Sequence, residues 1–145
     1  MAISPDDTKL AFINWTDNGL MLLELETLER VEFRQLIRPE DIDEPGMRLL
    51  KQGDIVWSPD SKFILYTVEV AACSPWVTSI ILVNTANALQ TMIVDQDDNY
   101  YHTVEWPEAD RAIVRSFDVK LWWMDAFTGE ILGPYSKQTN PPIKE

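Results

Sequence analysis

Trp57-Ser58-Pro59-Asp60-Ser61-Lys62-Phe63-Ile64-Leu65-Tyr66 joins a tight turn to an apolar run, and the same order stands near the N-terminus as Ser4-Pro5-Asp6-Asp7-Thr8-Lys9-Leu10-Ala11-Phe12. A weaker copy is Pro107-Glu108-Ala109-Asp110-Arg111-Ala112-Ile113-Val114, so that the prolines fall 54 and then 48 positions apart. A second element follows each copy: Leu22-Leu23-Glu24-Leu25-Glu26-Thr27, Ile81-Leu82-Val83-Asn84-Thr85 and Trp122-Trp123-Met124-Asp125-Ala126-Phe127-Thr128-Gly129. Two elements recurring in one order, with a period of about fifty residues, mark a repeat architecture.

Each repeat reads as short strands separated by turns. Proline presets φ at the second turn position and the Asp side chain can accept from the following backbone; Thr128-Gly129 serves the same purpose at another turn. The apolar runs are short and rich in Val, Ile, Leu, Trp and Tyr, which favours strands over helices. Strands are expected near 9–14, 20–25, 30–36, 53–58, 63–68, 79–84, 89–94, 100–106, 112–117, 121–126 and 130–135. Phe63 to Val68, Ile80 to Val83 and Leu121 to Met124 are apolar without alternation. Both faces of those strands should therefore be covered, whereas a sheet with one wet face would alternate.

The stretch from Trp57 to Tyr66 closely resembles the W/F-S-P-D-G-x-x-I/L-A-F/Y core of TolB-like propeller repeats, which is also found in the propellers of prolyl-oligopeptidase-type peptidases. Leu121 to Glu130 is similar to the third strand and following turn of that repeat. Ser61 and Asp7 replace the usual Gly, and the third copy keeps only Pro107 and Asp110. The resemblance implies an all-β fold of about three four-stranded antiparallel propeller blades, near 1–36, 53–94 and 100–138. Only Met1-Ala2-Ile3-Ser4 remains for the innermost strand of the first blade. Three blades fall short of the four a closed propeller typically needs. The expectation is either the remainder of a longer propeller beyond this chain or a homodimer that completes six blades.

Composition narrows the function classes. The 145 residues are 46% apolar and carry 12 Lys+Arg against 24 Asp+Glu, a formal charge of −12. A folded, acidic, soluble body is expected, and nucleic acid is excluded as a partner because the basic residues are few and scattered. No apolar run approaches the roughly 18 residues of a membrane helix, so no membrane insertion is expected. Cys73 is the only cysteine, which leaves no internal disulfide or cysteine-based zinc site, and the compartment stays open.

Catalysis has little to stand on. His102 is the only histidine, no Gly-x-Ser-x-Gly is present, and Cys73 has no electropositive neighbours in sequence. His102 is expected on an inner strand, hydrogen-bonded or lining the axial channel. Asp95-Gln96-Asp97-Asp98-Asn99 opens like a calcium loop, yet Tyr100 stands where Gly is needed and Trp106 where a bidentate Glu is needed. No cofactor, metal or catalytic residue is assigned. Trp57, Trp106 and one of Trp122 and Trp123 are assigned to blade packing because they recur at matching positions.

In blade geometry the long connections, 37–52 and 69–78, open on one side together with 15–19 and 95–99. Binding residues concentrate on such loops. An acidic, aromatic rim is expected there to bind a protein or peptide, and its charge suits a basic one. Its candidate residues are Trp15, Glu40, Asp41 and Glu69 from the earlier connections, and Trp76, Asp97, Asp98 and Tyr100 from the later ones. The leading expectation is a non-catalytic scaffold or interaction module. The resemblance also implies the gating propeller of a larger serine hydrolase, and a small-ligand or cation-binding propeller is the third alternative.

Overall fold

The computed structural model describes residues 1–14, 19–33, 48–71 and 76–136. These form three four-stranded antiparallel sheets whose spatial order follows chain order. Sheet one contains β1 (Ala2–Ile3), β2 (Lys9–Ile13), β3 (Leu20–Glu24) and β4 (Arg30–Glu32). Sheet two contains β5 (Arg48–Trp57), β6 (Phe63–Ala71), β7 (Val77–Asn84) and β8 (Leu89–Asp97). Sheet three contains β9 (His102–Glu108), β10 (Arg111–Arg115), β11 (Leu121–Asp125) and β12 (Ile131–Pro134). β5 lies against β9 on one side and against β1 and β2 on the other. The first strands of the sheets are therefore neighbours, as in blades set around an axis.

The two strong sequence copies build the same turn. Ser4 Oγ donates to Asp6 Oδ1 at 2.7 Å, the Thr8 amide donates to the same oxygen at 3.1 Å, and the Lys9 amide donates to Ser4 Oγ at 3.0 Å. Ser58, Asp60, Lys62 and Phe63 repeat these contacts at 2.7, 3.1 and 2.9 Å. Asp7 and Ser61, which stand where the repeat usually has glycine, take the left-handed φ values of 59° and 63°. The two turns touch, since the Asp6 amide donates to Ser61 Oγ at 3.1 Å.

Pro107 does not start a third such turn. β9 runs through it to Glu108, which pairs with Arg111, and Ala109-Asp110 alone makes the connection. Without a serine before the proline, the side-chain bond that pins the other two turns has no donor. Two further expectations also shift: β5 starts at Arg48, so the connection placed at 37–52 gives its last five residues to a strand, and Glu69 lies within β6, paired with Lys51 and Thr78.

Sheet two is covered on both faces. Ile64, Tyr66, Val68, Ile81 and Val83 point into a cluster with Ala11, Leu20 and Leu22 of sheet one. Leu65, Ile80 and Val94 point the other way, against Trp106, Ala112, Val114 and Met124 of sheet three. This explains the unbroken apolar runs of β6 and β7: alternate residues serve different neighbours, and only Phe63 and Leu82 of those runs are partly exposed. Trp57, Trp106 and Trp123 are buried, while Trp122 is partly covered. Trp57 also ties the blades by donating its indole N–H to the Ala2 carbonyl at 3.0 Å. On the far side of sheet one, Leu10, Phe12 and Leu23 occupy the positions that Ile64, Tyr66 and Val83 hold in sheet two. There they are only half-buried, and Ile3 beside Leu10 is exposed.

The β11–β12 turn packs on sheet two through Gly129. Its φ is +79°, and a Cβ there would sit 2.2 Å from the Ile93 carbonyl oxygen. Gly129→Ala is expected to cost about 3 kcal/mol, combining a left-handed residue with overpacking against backbone. Urea unfolding measures it, and an unchanged midpoint would contradict this contact.

Candidate functional site

On one side of the blades the described β8–β9 and β10–β11 turns meet Trp76, the residue before β7. The Phe117 amide donates to the Asn99 carbonyl at 2.8 Å, fastening the β10–β11 turn to the β8–β9 turn. Tyr100 stands in the middle. Its ring centroid is 6.4 Å from that of Trp76, 6.1 Å from that of Phe117 and 4.6 Å from that of His102, all edge-on. Aromatic pairs at such separations and tilts are mutually attractive. The ends of this ladder are open, with Trp76 50% and Phe117 77% exposed.

Of the residues expected at the rim, the structure thus brings Trp76 and Tyr100 together and places Glu69 beside them. Asp97 and Asp98 belong to the adjoining end of β8 and its turn, where Asp97 Oδ1 accepts from the Asn99 amide at 2.7 Å and from its side chain at 2.8 Å. Trp15, Glu40 and Asp41 lie outside the described residues. Asp95 and Asp97 are strand residues of β8. Among the described residues, no group of three or more His, Cys, Asp or Glu side chains is arranged to hold a metal ion.

His102 opens β9 and is 5% exposed. Its Nδ1 lies 2.6 Å from Asp54 Oδ2, a carboxylate acceptor that places the ring proton on that nitrogen. Nε2 lies 3.3 Å from Glu69 Oε1, a close polar approach without the alignment of a hydrogen bond. Asp54 reaches the ring because β5 is irregular between Gly53 and Val56 and Asp54 itself has φ of 51°. Below it, Thr103 Oγ1 donates to the Asp54 carbonyl, and the Thr67 and Thr103 hydroxyls lie 3.0 Å apart. This polar bridge joins β5 and β6 of sheet two to β9 of sheet three. Both threonine hydroxyls are engaged within it and Tyr100 lies edge-on to the imidazole, so the cluster acts as a tie between blades. Burial, followed by the charge and hydrogen bond of Glu69, pushes the Tyr100 phenol up to about 12. Tyr100 is therefore a neutral donor at physiological pH.

The β10–β11 turn was not anticipated as part of the rim. Ser116 Oγ donates to Asp118 Oδ1, the Ser116 amide donates to the Lys120 carbonyl at 2.9 Å, and the Val119 amide donates to the Ser116 carbonyl at 3.0 Å. Val119 has φ of 63°. It shares the Ser-to-Asp side-chain bond and the left-handed fourth residue of the Ser58 turn but closes one residue sooner, since the Ser58 amide donates to the Phe63 carbonyl, and it stands at the opposite end of a hairpin. The Ser-x-Asp-x-Lys spacing is the sequence signal that marks it, obscured because Phe117 stands where the other copies have proline. A β-branched residue in the left-handed region is strained, and this one holds two exposed apolar side chains, Phe117 and Val119, at the tip.

A cavity of about 290 Å³ opens between the β8–β9 and β10–β11 turns. Asp98, Asn99 and Tyr101 form one wall, and Ser116, Phe117, Asp118 and Trp122 form the other. Trp122 Nε1 donates to Ser116 Oγ at 3.1 Å, fixing the indole at the floor. Burial, then the charges of Asp97 and Asp118, raises the Tyr101 phenol, so the negative field of both turns reaches this ring.

Three packed four-stranded antiparallel sheets with neighbouring first strands are blades of a β-propeller. TolB from Acinetobacter baumannii is similar over 93% of this chain and 31% of its own, with a TM-score of 0.63 and 16% identity. Dipeptidyl peptidase 4 from Porphyromonas gingivalis is similar over 94% of this chain and 25% of its own, with a TM-score of 0.64 and 12% identity. A putative 6-phosphogluconolactonase from Bacteroides uniformis covers 91% and 37% respectively, at a TM-score of 0.53 and 13% identity. The chain thus spans between about a quarter and just over a third of these structures, and the likeness establishes the TolB-like propeller fold. No family model and no curated protein matches the sequence.

The three Ser-x-Asp turns carry a pH signature. The Ser4 hydroxyl, followed by Thr8, lowers Asp6 from 3.8 to about 2. The Ser58 hydroxyl is the main cause that lowers Asp60, and the Ser116 hydroxyl lowers Asp118. A carboxyl depressed on folding contributes stability that is fully present above its unfolded pKa and lost as pH falls through the folded one. The stability difference between wild type and Asp6→Asn should therefore be constant above about pH 5 and vanish towards pH 2. Urea unfolding across that range measures it, and a difference that widens on acidification would contradict the assignment.

Proposed function

We propose that this chain is a non-catalytic propeller module that docks a basic protein or peptide on the face formed by Trp76 and the β8–β9 and β10–β11 turns. The observation that carries this reading is the ladder Trp76–Tyr100–Phe117, exposed at both ends and set among Glu69, Asp97, Asp98 and Asp118. Exposed aromatic side chains packed against one another provide contact area at small entropic cost, and surrounding carboxylates select positive charge. Interface energy concentrates in a few such anchors. The net charge of −12 adds long-range attraction for a basic partner.

A library of random twelve-residue peptides selected on the immobilised chain tests this. Enriched peptides are expected to be basic, to bind more weakly as salt rises, and to lose about tenfold in affinity on Tyr100→Ala or Trp76→Ala. Enrichment of neutral or acidic peptides, or binding untouched by both substitutions, would overturn the reading.

A further inference from the structure

The cavity between the β8–β9 and β10–β11 turns adds a specific element to that face. We infer that it receives one guanidinium side chain, an arginine of the docked partner. This rests on the docking reading and names the group that the face recognises. The volume of about 290 Å³ sits at the lower edge of the range that holds drug-sized ligands, roughly 300 Å³ and upward, and suits a single side chain.

The chemistry of the walls selects a flat cation. Tyr101, Phe117 and Trp122 supply aromatic surface, and Asp98 and Asp118 supply a carboxylate from each turn. A guanidinium stacks on aromatic faces while its edge donates to carboxylates, and its weak hydration suits a half-enclosed site. An ammonium is a more strongly hydrated point charge and gains less from flat walls.

The walls are held in place before any ligand arrives. Asp118 accepts from Ser116 Oγ, the same oxygen that accepts from the Trp122 indole, and the Phe117 amide is bonded to Asn99. Among the described residues, Arg115 acts on the neighbouring Tyr100, and Lys120 is a basic group already present at the cavity, its Nζ 3.4 Å from Asp118 Oδ2 with its side chain 69% exposed. Such a surface pair is weak and exchanges readily for a better-fitting cation.

The test uses the intact chain labelled with ¹⁵N and titrated with N-acetyl-arginine amide, with N-acetyl-citrulline amide as the uncharged isostere. Shifts are expected at the Trp122 indole N–H and the Phe117 and Asn99 amides, with citrulline weaker by about tenfold and lysine amide intermediate. Asp118→Asn keeps an acceptor for Ser116 while removing the charge, and Phe117→Ala removes an exposed wall. Each should weaken the arginine probe by at least about threefold in a chain whose ¹⁵N spectrum shows it still folded. Equal response to citrulline, shifts spread over unrelated carboxylates, or no response would each overturn the inference. If selected basic peptides bind over Trp76 and Tyr100 without moving Trp122, the cavity assignment fails and the docking face stands. If they bind elsewhere, both fail.

Discussion

The burial of both faces of sheet two is the constraint on which the rest of the molecule depends. Leu65 and Tyr66 are adjacent in sequence and both essentially inaccessible, yet they serve different interfaces: Tyr66 faces sheet one and Leu65 faces sheet three. A strand so placed has no solvent side. Its hydrophobic burial holds only while both neighbouring sheets are present, at about 25 cal/mol per Å² of apolar surface removed from water. Stability is therefore shared across blades, and the inner-strand tie of His102 to Asp54 and the Trp57 bond to Ala2 run across those same boundaries.

This arrangement also fixes the candidate site. Tyr100 lies between β8 of sheet two and β9 of sheet three, so its position is set by the interface between those sheets. Trp76 enters β7 and Phe117 leaves β10. The ladder thus draws one ring from each of three connections on two blades. A change in the angle between the blades would break it, which is why a rigid scaffold is needed to present so few residues.

The blade pattern was legible in the sequence because it depends on local chemistry. Ser58, Pro59 and Asp60 form their turn from their own side chains, and the unalternating run of β6 announces two covered faces. Ser61 and Asp7 could be flagged as departures from glycine, and their left-handed φ values follow from that. Less legible was anything decided by pairing at a distance. Glu69 looks like a loop residue because Glu disfavours strands, but the ladder between β6 and β7 continues past it to Val70. Pro107 suggested a turn by analogy, whereas a third Ser-x-Asp turn, closed one residue sooner, stands at Ser116. The meeting of His102 with Asp54 rests on an irregularity in β5 that has no sequence marker. The cavity arises from two turns that only the packing of sheets two and three brings together.

Native-state hydrogen exchange tests the central claim that sheet two is the doubly covered core. The account predicts that amides of Ile64 to Val68 and Ile80 to Val83 exchange only through global unfolding, with the slowest rates in the chain, while those of β4 and β12 exchange through local opening. Exchange of β6 and β7 as fast as that of β4 and β12 would contradict it.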